Sequence, residues 1–404
     1  MTLRRIYLDH AATSWPKPPS VIEACLEFQE TLGVAASRGA YSRAEQTDRS
    51  IAQTRAKLAG LVGISDPDRI AWTSNGSMAI HAAIHSLLWQ SDLQSHHVLT
   101  TATEHNSVLR TLADLQQRRG LRWTILECDS LGQVSADSIK NAIRPDTRLV
   151  IINHASNITG FIQDLESIAE VTARSTARLM VDAAQSLGYL NLQAERLGID
   201  LLVAPTHKGL CGMLGTAFVA ASSRVLPELR SPWIGGTGRS SIDFQGPFGW
   251  RESIESGNLN GPSIASLNAG LDFINQQDSQ DFQEKTDRWL GTLVDQIGRY
   301  PQLRLVGYPS LQGGPTPSQS DRSQRVPVLS FFSQTLGSHE MSLLLDSALG
   351  IECRSGLHCA GAIHPYIGSH PDQGVLRMSF GHTTTESDIE AAIEGIKLLG
   401  QFAS

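Results

Sequence analysis

The sequence has few cysteines, no long apolar run and no excess of basic residues. Its five cysteines are scattered, and no two form a CxxC pair. This pattern argues against a disulfide framework and a structural zinc site, so we expect no metal centre and a reducing compartment. No apolar stretch approaches the roughly 18 residues of a membrane span. With 33 Lys and Arg against 40 Asp and Glu, the net charge of −7 offers no basic field for nucleic acid or an anionic membrane. The opening residues MTLRRIYLDHAAT lack the apolar core of a secretory signal, so we expect a cytoplasmic protein.

What the chain does contain is typical of a large α/β protein. The 404 residues are 41% hydrophobic and include 35 glycines, enough for a substantial core with many tight turns. Short apolar runs alternate with helical patterns up to about Gly261, which predicts parallel βαβ units. The run GTAFVA follows the strand before it too closely for a helical crossover, so we expect those two strands to be antiparallel.

Long helical patterns and fewer strands follow Gly261, which predicts a change of domain. We place the boundary near residue 265, between a large domain (21–265) and a small carboxyl-terminal α/β domain (266–404). The amino-terminal segment (1–20) is expected to pack on the small domain.

The stretch LLVAPTHKGLCGMLG, residues 201–215, contains the residue most suggestive of chemistry. Its apolar start predicts a buried strand that ends in a glycine-punctuated turn. Lys208 then lies just past a strand end, where α/β proteins place their ligands. A single lysine in such a turn is more often a solvated loop residue. The alternative is an amine kept neutral for covalent chemistry.

Polar residues at several other predicted strand ends favour the second interpretation. Each taken alone has a common structural explanation: a helix cap, a satisfied histidine or a paired carboxylate. Together they supply a phosphate turn, an imidazole, an amide, a carboxylate and a lysine, which are the groups that pyridoxal 5′-phosphate requires. These residues are Gly76, Ser77, His105, Asn157, Asp182, Gln185, His207 and Lys208.

The order of short motifs along the chain resembles a known family. The motifs are YLDHAAT, TSNGS, TEHNS, NHASNITG, VDAAQS, THKG, ESGNLN, CRSGLHCA and LRMSFGHTTTESDI. This order is similar to that of the class V aminotransferases, and most similar to their cysteine desulfurase and selenocysteine lyase branch of the shorter-loop type. The resemblance implies the fold type I of pyridoxal-phosphate enzymes, with a large mostly parallel-sheet domain and a small carboxyl-terminal α/β domain. It also implies a homodimer.

The resemblance assigns roles residue by residue. Lys208 would form the Schiff base with the cofactor and act as general base, and Cys359 and His105 would complete the catalytic set. The implied cofactor contacts are Asp182 at the pyridine nitrogen, Gln185 at the ring hydroxyl, His105 stacked on the ring, and Gly76, Ser77, Thr206, His207 and Asn258 around the phosphate. The implied substrate contacts are Asn157, Arg377, Arg354 and His10.

Cys359 distinguishes between reactions within the family. It lies in RSGLHCAG, beside Arg354 and His358, and nearby positive charge enriches the nucleophilic thiolate. A small buried apolar role is the ordinary alternative for an unplaced cysteine. In the desulfurases, the cysteine at this point takes sulfur from the substrate as a persulfide.

Three residues around the implied phosphate depart from the family pattern: Met78, Pro205 and Asn258. Thr206 is a candidate to supply the hydroxyl that Pro205 lacks, one position out of register. These changes indicate a rearranged cradle, a weaker affinity for the cofactor or a divergent paralogue.

The predicted function is therefore a cysteine desulfurase that converts L-cysteine to alanine, with a sulfur-acceptor protein as a candidate partner. Selenocysteine lyase, another C–S lyase and aminotransferase are alternatives on the same fold, and loss of activity in Cys359→Ala separates the desulfurase from the aminotransferase. An alternative of another class is a catalytically silent dimeric scaffold, which would bind no cofactor.

Overall fold

The computed structural model describes residues 4–36, 39–90, 92–236, 249–308, 324–370 and 372–403. The helices are α1 Pro19–Glu27, α2 Ser42–Val62, α3 Gly76–Leu87, α4 Asn106–Arg119, α5 Ala136–Ala142, α6 Leu165–Ala173, α7 Trp250–Ile254, α8 Gly261–Asn275, α9 Ser279–Ile297, α10 Ser338–Leu349 and α11 Glu386–Phe402. The strands are β1 Ile6–Tyr7, β2 Ile70–Thr73, β3 His97–Thr101, β4 Arg122–Leu126, β5 Thr147–Asn153, β6 Arg178–Asp182, β7 Leu201–Pro205, β8 Ala217–Ala221, β9 Leu303–Leu305, β10 Val328–Ser333, β11 Ile351–Glu352, β12 Arg354–Gly356 and β13 Val375–Ser379.

A seven-stranded sheet forms the centre of the large part of the molecule, in the order β2-β8-β7-β6-β5-β3-β4. The neighbours from β4 to β7 are parallel, whereas β8 is antiparallel to both β7 and β2. The short turn after β7 therefore connects antiparallel strands, which confirms the prediction for GTAFVA.

Helices cover both faces of this sheet, which explains why its inner strands are almost uniformly apolar. Alternate residues of β5 belong to different cores: Val150 and Ile152 pack with α2, α6 and α8, whereas Leu149 and Ile151 pack with α3 and α4. The two-residue period of a strand sends successive side chains to opposite faces, so one strand serves both layers.

A second, four-stranded sheet has the order β12-β13-β10-β9 and is antiparallel. Its core includes residues of α9, α10 and α11. Ile6 and Leu8 of the amino-terminal segment are buried in the same core, and β1 pairs in parallel with β11.

The predicted boundary at residue 265 lies within α8. Leu267 and Leu271 of α8 pack in the core of the large sheet, and Trp289 and Leu293 of α9 pack in the core of the small one. The change of core therefore falls between these two helices. Within the described part of the chain, no helix has the length and apolar character needed to cross a membrane.

Candidate active site

The carboxyl ends of the central parallel strands meet at one edge of the large sheet. Asn153 ends β5, Asp182 ends β6, and the two are paired in register. Pro205 ends the neighbouring strand β7, and Lys208 follows three residues later. Topology thus gathers an amide, a carboxylate and an amine at the edge where α/β sheets bind ligands.

A cavity of about 290 Å³ opens at this edge. Its wall combines the strand ends with the amino termini of α3 and α4, and with two strands of the small sheet, β12 and β13. Most of the predicted site residues line it: Gly76, Ser77, His105, Asn157, Asp182, Gln185, His207, Lys208, Arg354 and Arg377. The fold therefore collects residues that are up to 300 positions apart in the sequence into one cavity.

The amine of Lys208 is the nucleophile candidate in this cavity. Burial lowers the pKa of Lys208 to about 8, although the nearby Asp182 carboxylate acts in the opposite direction. A lysine whose pKa lies near neutrality exists partly as the free amine, which can attack a carbonyl.

Asp182 faces the same cavity and is buried. Burial raises the pKa of Asp182, while the backbone N–H of Ala184, 2.9 Å from Oδ1, and the charge of Lys208 partly offset that effect. A carboxylate held in this way can stabilise a protonated ring nitrogen that reaches it.

Glu104 lies behind Asn153 and was not singled out from the sequence. Its Oε1 accepts hydrogen bonds from the Thr101 hydroxyl and the Asn153 N–H, both at 2.8 Å. Burial raises the pKa of Glu104 to about 8, so the neutral acid predominates at pH 7. A neutral acid holds the end of β5 without placing a second negative charge beside Asp182.

The amino terminus of α3 forms a site suited to an anion. Asn75 caps the helix by accepting the N–H of Met78 at 3.0 Å, and Gly76 and Ser77 are its first two residues. The Ser77 hydroxyl lies 2.7 Å from the Ser107 hydroxyl on the neighbouring helix. Free N–H groups at a helix amino terminus bind phosphate readily.

Two histidines of the cavity wall are held as neutral imidazoles. His105 caps α4, with its Nδ1 accepting the N–H of Ser107 at 3.1 Å, and burial lowers its pKa to about 4. His207 makes a 3.0 Å contact between Nδ1 and the Thr13 hydroxyl, and burial lowers its pKa to about 3. Neutral rings favour stacking and hydrogen bonding over charge pairing.

Arg377 supplies a buried positive charge at the side of the cavity formed by β13. Its Nη2 donates to Asp9 Oδ1 at 2.6 Å and its Nη1 donates to the carbonyl of Asn157 at 3.1 Å. Burial lowers the pKa of Arg377, yet a guanidinium remains charged at any physiological pH. A fork held by these two contacts suits a carboxylate ligand.

Cys359 lies next to the cavity wall rather than on it. Arg354, which does line the cavity, places Nη2 3.6 Å from the Cys359 sulfur. The Cys359 carbonyl accepts the N–H of Asn106 at 2.6 Å, which docks the cysteine against the start of α4. The thiol thus lies beside a cation, and the backbone of the same residue is bonded to the helix that positions His105.

Comparison with known proteins identifies the family. The model of the family Aminotransferase class-V matches residues 6–392. The chain belongs to the class V aminotransferase family. It is 28% identical over 387 residues to a probable cysteine desulfurase of Methanothermobacter thermautotrophicus, covering 95% of this chain and 92% of that protein. It is also 28% identical over 406 residues to the cysteine desulfurase IscS of Clostridium botulinum, covering 97% of this chain and 93% of that protein.

Solved structures of this family share the fold. The apo cysteine desulfurase of Thermococcus onnurineus superposes with a TM-score of 0.86 at 23% identity, over 98% of this chain and 95% of that one. The cysteine desulfurase CsdA of Escherichia coli gives 0.84 at 23% identity, over 98% and 94%. The predicted fold, a large mostly parallel sheet with a small α/β domain, is confirmed.

Four of the residues assigned by resemblance to the class V motifs do not line the cavity: Cys359, described above, and Thr206, His10 and Asn258. The Thr206 hydroxyl donates to the carbonyl of Thr216 at 2.9 Å, and the residue is fully buried, so this geometry does not support its predicted role at the phosphate. His10 is buried behind the wall, within 3.4 Å of the Thr384 hydroxyl, so in this structure it is not placed to touch a substrate. Asn258 lies in a separate cleft beside Trp72 and Met78.

Several residues of this class V cavity were missed in the sequence. Asn75, Ser107, Asn153 and His358 all line it. Asn75 carried a usable signal, because asparagine before a strand–glycine–helix turn is a preferred helix cap. Asn153 ends a strand next to Asp182, so the strand-end argument applies to it as well. His358 was considered only as a positive charge beside Cys359, whereas the fold buries it next to Asn157 and burial lowers its pKa, so the ring is neutral.

Proposed function

We propose that this protein is a pyridoxal-phosphate-dependent cysteine desulfurase. It converts L-cysteine and the Cys359 thiol into L-alanine and a Cys359 persulfide. The observation that carries the proposal is the placement of the Cys359 thiol against Arg354, which lines a cavity that also contains a lysine with a lowered pKa. The names of the relatives support the same reaction.

The residues of the cavity fit pyridoxal phosphate at its aldehyde, its ring nitrogen and its phosphate. Lys208 presents an amine to its aldehyde, Asp182 presents a buried carboxylate to its ring nitrogen, and the start of α3 presents free N–H groups to its phosphate. His105 and Gln185 lie between these ends, with Gln185 Nε2 fixed on the carbonyl of Ala11 at 3.0 Å. When bound, pyridoxal phosphate withdraws electrons from the α-carbon of an amino acid.

The substrate is held by its carboxylate. Arg377 and Asn157 are neighbours at one side of the cavity, and the charge of Arg377 is already oriented by Asp9. Lys208 Nζ takes the proton from the α-carbon, because at a pKa of about 8 it gains and loses a proton readily at physiological pH.

Sulfur transfer then needs a thiolate close to the substrate sulfur. Cys359 Sγ attacks that sulfur, the new S–S bond forms, and the C–S bond of the substrate breaks with its electron pair remaining on carbon. A proton added to that carbon makes the methyl group, Lys208 returns a proton to the α-carbon to complete alanine, and the sulfur stays on Cys359 as the persulfide. Arg354, 3.6 Å from Sγ, stabilises negative charge on the sulfur during this exchange.

The active assembly proposed here is a homodimer that passes the sulfur to an acceptor protein. Asn258, which the family resemblance assigns to a phosphate, lies outside the cavity of its own chain. In a homodimer, Asn258 can contribute to the phosphate site of the second copy. Sedimentation of the purified protein at micromolar concentration, together with cofactor affinity of Asn258→Ala, tests this arrangement.

The proposed reaction is tested with purified wild type, Cys359→Ala and Cys353→Ala, each supplied with pyridoxal phosphate and L-cysteine. Cys353 is the matched control, since it lies six residues away and its thiol pKa is raised by burial to about 12. We expect alanine and, with a reductant, sulfide from wild type and Cys353→Ala, and neither from Cys359→Ala. Alanine from Cys359→Ala at the wild-type rate, or none from cofactor-loaded wild type, contradicts the proposal.

A further inference from the structure

His358 and Cys359 have a backbone conformation that side-chain-bearing residues rarely adopt. Their φ angles are +50° and +58°, in the left-handed region, and neither residue is glycine. Such a conformation is strained for a residue with a side chain and persists only where surrounding contacts enforce it. The loop that carries Cys359 must therefore be held by specific contacts.

Two of these contacts involve the backbone of the pair. The side chain of Asn157 donates from Nδ2 to the His358 carbonyl at 2.7 Å. The N–H of Asn106 donates to the Cys359 carbonyl at 2.6 Å. The loop is thus attached both to a residue of the substrate-carboxylate side and to the first residue of α4.

The third contact is made by the imidazole of His358. Its Nε2 lies 3.0 Å from the carbonyl of Val375, the first residue of β13, which carries Arg377 two positions later. A carbonyl oxygen only accepts, so Nε2 carries the proton and donates. Burial, with the charges of Arg377 and Arg354, lowers the pKa of His358 well below its usual value, so the ring is neutral.

Nδ1, the other ring nitrogen of His358, does not contribute to holding the loop. His358 is 3% exposed, and within the described chain its Nδ1 has no hydrogen-bond partner. The ring is therefore anchored at one end only, through a bond to β13 that adds to the pairing of β12 with β13 just before the cysteine loop. Since the same strand carries the carboxylate-binding arginine, the bond links the nucleophile to the substrate site.

We propose that His358 is a positioning residue, which holds the Cys359 thiol at a set place relative to Arg377 through its hydrogen bond to the Val375 carbonyl. The inference deepens the proposed desulfurase function and rests on it for its catalytic consequence. The hydrogen bond from His358 to the Val375 carbonyl, called the tether below, is present in the free protein. Without it, the left-handed pair loses one of the contacts that enforce it, and the loop opens more often from the start of α4.

The test compares His358→Gln, His358→Ala and a matched control, His382→Gln. Glutamine places an N–H donor near the position of Nε2 but cannot carry a proton between groups as imidazole can. His382 is also buried and also makes one ring contact to a carbonyl, at 2.8 Å from Gly188, but it lies away from the cysteine loop. Retained secondary structure and cofactor absorption show that each variant folds.

Amide hydrogen exchange of Asn106 and of residues 356–361 is measured without substrate, and alanine formation from L-cysteine is measured in parallel. Loss of one hydrogen bond of about 1.5 kcal/mol corresponds to roughly a tenfold change. We expect His358→Ala to exchange about tenfold faster and to lose about tenfold in kcat with little change in KM. We expect His358→Gln to restore most of the protection from exchange and most of kcat. His382→Gln is expected to match wild type in both measurements.

Unchanged exchange in His358→Ala overturns the proposal. So does a His358→Gln variant as impaired as His358→Ala, because that result points to proton transfer by the imidazole. The exchange measurement needs no turnover. A tether can therefore be shown even if L-cysteine is not the substrate, and failure of the tether is distinguishable from failure of the proposed reaction.

Discussion

Replacing Lys208 by methionine is expected to stabilise the cofactor-free protein. Burial lowers the pKa of Lys208 from 10.5 to about 8, which means that the fold holds the charged amine less favourably than water does. At 1.36 kcal/mol per pKa unit, this corresponds to about 3 kcal/mol of stability that Lys208→Met regains at pH 7. The value is an upper one, because the variant also removes the cation beside Asp182.

The stability that Lys208→Met gains over wild type depends on pH. Below pH 8 the amine is charged in both the folded and the unfolded chain, so the full cost is present. Between pH 8 and 10.5 the unfolded chain binds more protons than the folded one, and wild-type stability rises with pH. The advantage of Lys208→Met is therefore expected to shrink over this range and to vanish above pH 10.5.

Lys17 provides the control, since burial lowers its pKa to about 8 as well. Its Nζ, however, donates to the Ser14 hydroxyl at 2.7 Å and to the His207 carbonyl at 2.8 Å. Hydrogen bonds from a charged group contribute about 1.5–3 kcal/mol each, so Lys17→Met is expected to destabilise the protein.

The assay is urea unfolding of both variants and wild type, at equal protein concentration, without cofactor, at pH 7, 9 and 10.5. The reasoning is refuted if Lys208→Met is no more stable than wild type at pH 7. It is also refuted if the stability difference is the same at pH 7 and pH 10.5.

Three further changes probe Arg377 on the cavity wall and two buried residues that do not line the cavity, Glu104 and Thr206. Arg377→Lys keeps the charge but loses the planar guanidinium that binds a carboxylate with two hydrogen bonds, so KM for L-cysteine is expected to rise by about 10- to 100-fold in steady-state assays. An unchanged KM would show that Arg377 does not bind the substrate carboxylate. Glu104→Gln keeps the accepting carbonyl but does not titrate, whereas wild type loses stability from pH 4.5 to 8 because the folded pKa of Glu104 is raised to about 8. In urea unfolding, the free energy of unfolding of the variant relative to wild type is expected to be higher at pH 8 than at pH 5. The same difference at both pH values would mean that the buried acid is ionised. Thr206→Val should cost about 1 kcal/mol in unfolding experiments and leave the affinity for pyridoxal phosphate unchanged, whereas a large loss of affinity would return Thr206 to the phosphate site.

The residues at strand ends were predictable because their position depends on local pattern and topology. A buried apolar run followed by a polar residue places Asp182 and Lys208 at the same edge once the strands are parallel, and no side-chain detail is needed. The antiparallel β8 followed from the shortness of one connection. Family resemblance then assigned roles to residues, such as Arg377, that are isolated in the sequence.

Side-chain direction was not predictable in the same way. Thr206 and His207 are adjacent, yet His207 faces the cavity and Thr206 turns to the Thr216 carbonyl. A shift of one position reverses the face to which a side chain points, and sequence pattern does not resolve that shift at the end of a strand. Glu104 was missed for a related reason: a carboxyl group beside a histidine in a turn suggests exposure, and only the packed structure shows that it is buried.

The pairing of β1 with β11 has a consequence for synthesis of the protein. A chain made from its amino terminus at about 5–20 residues per second exposes Ile6 and Tyr7 roughly 20–70 s before Ile351 and Glu352 are translated. For most of that time Ile6 and Leu8 have no apolar partners from the small sheet, and Arg377 does not yet exist. The large sheet can assemble on the ribosome, but the cavity is completed only by the finished chain. Loading of a cofactor into this protein is thus expected to be a post-translational event.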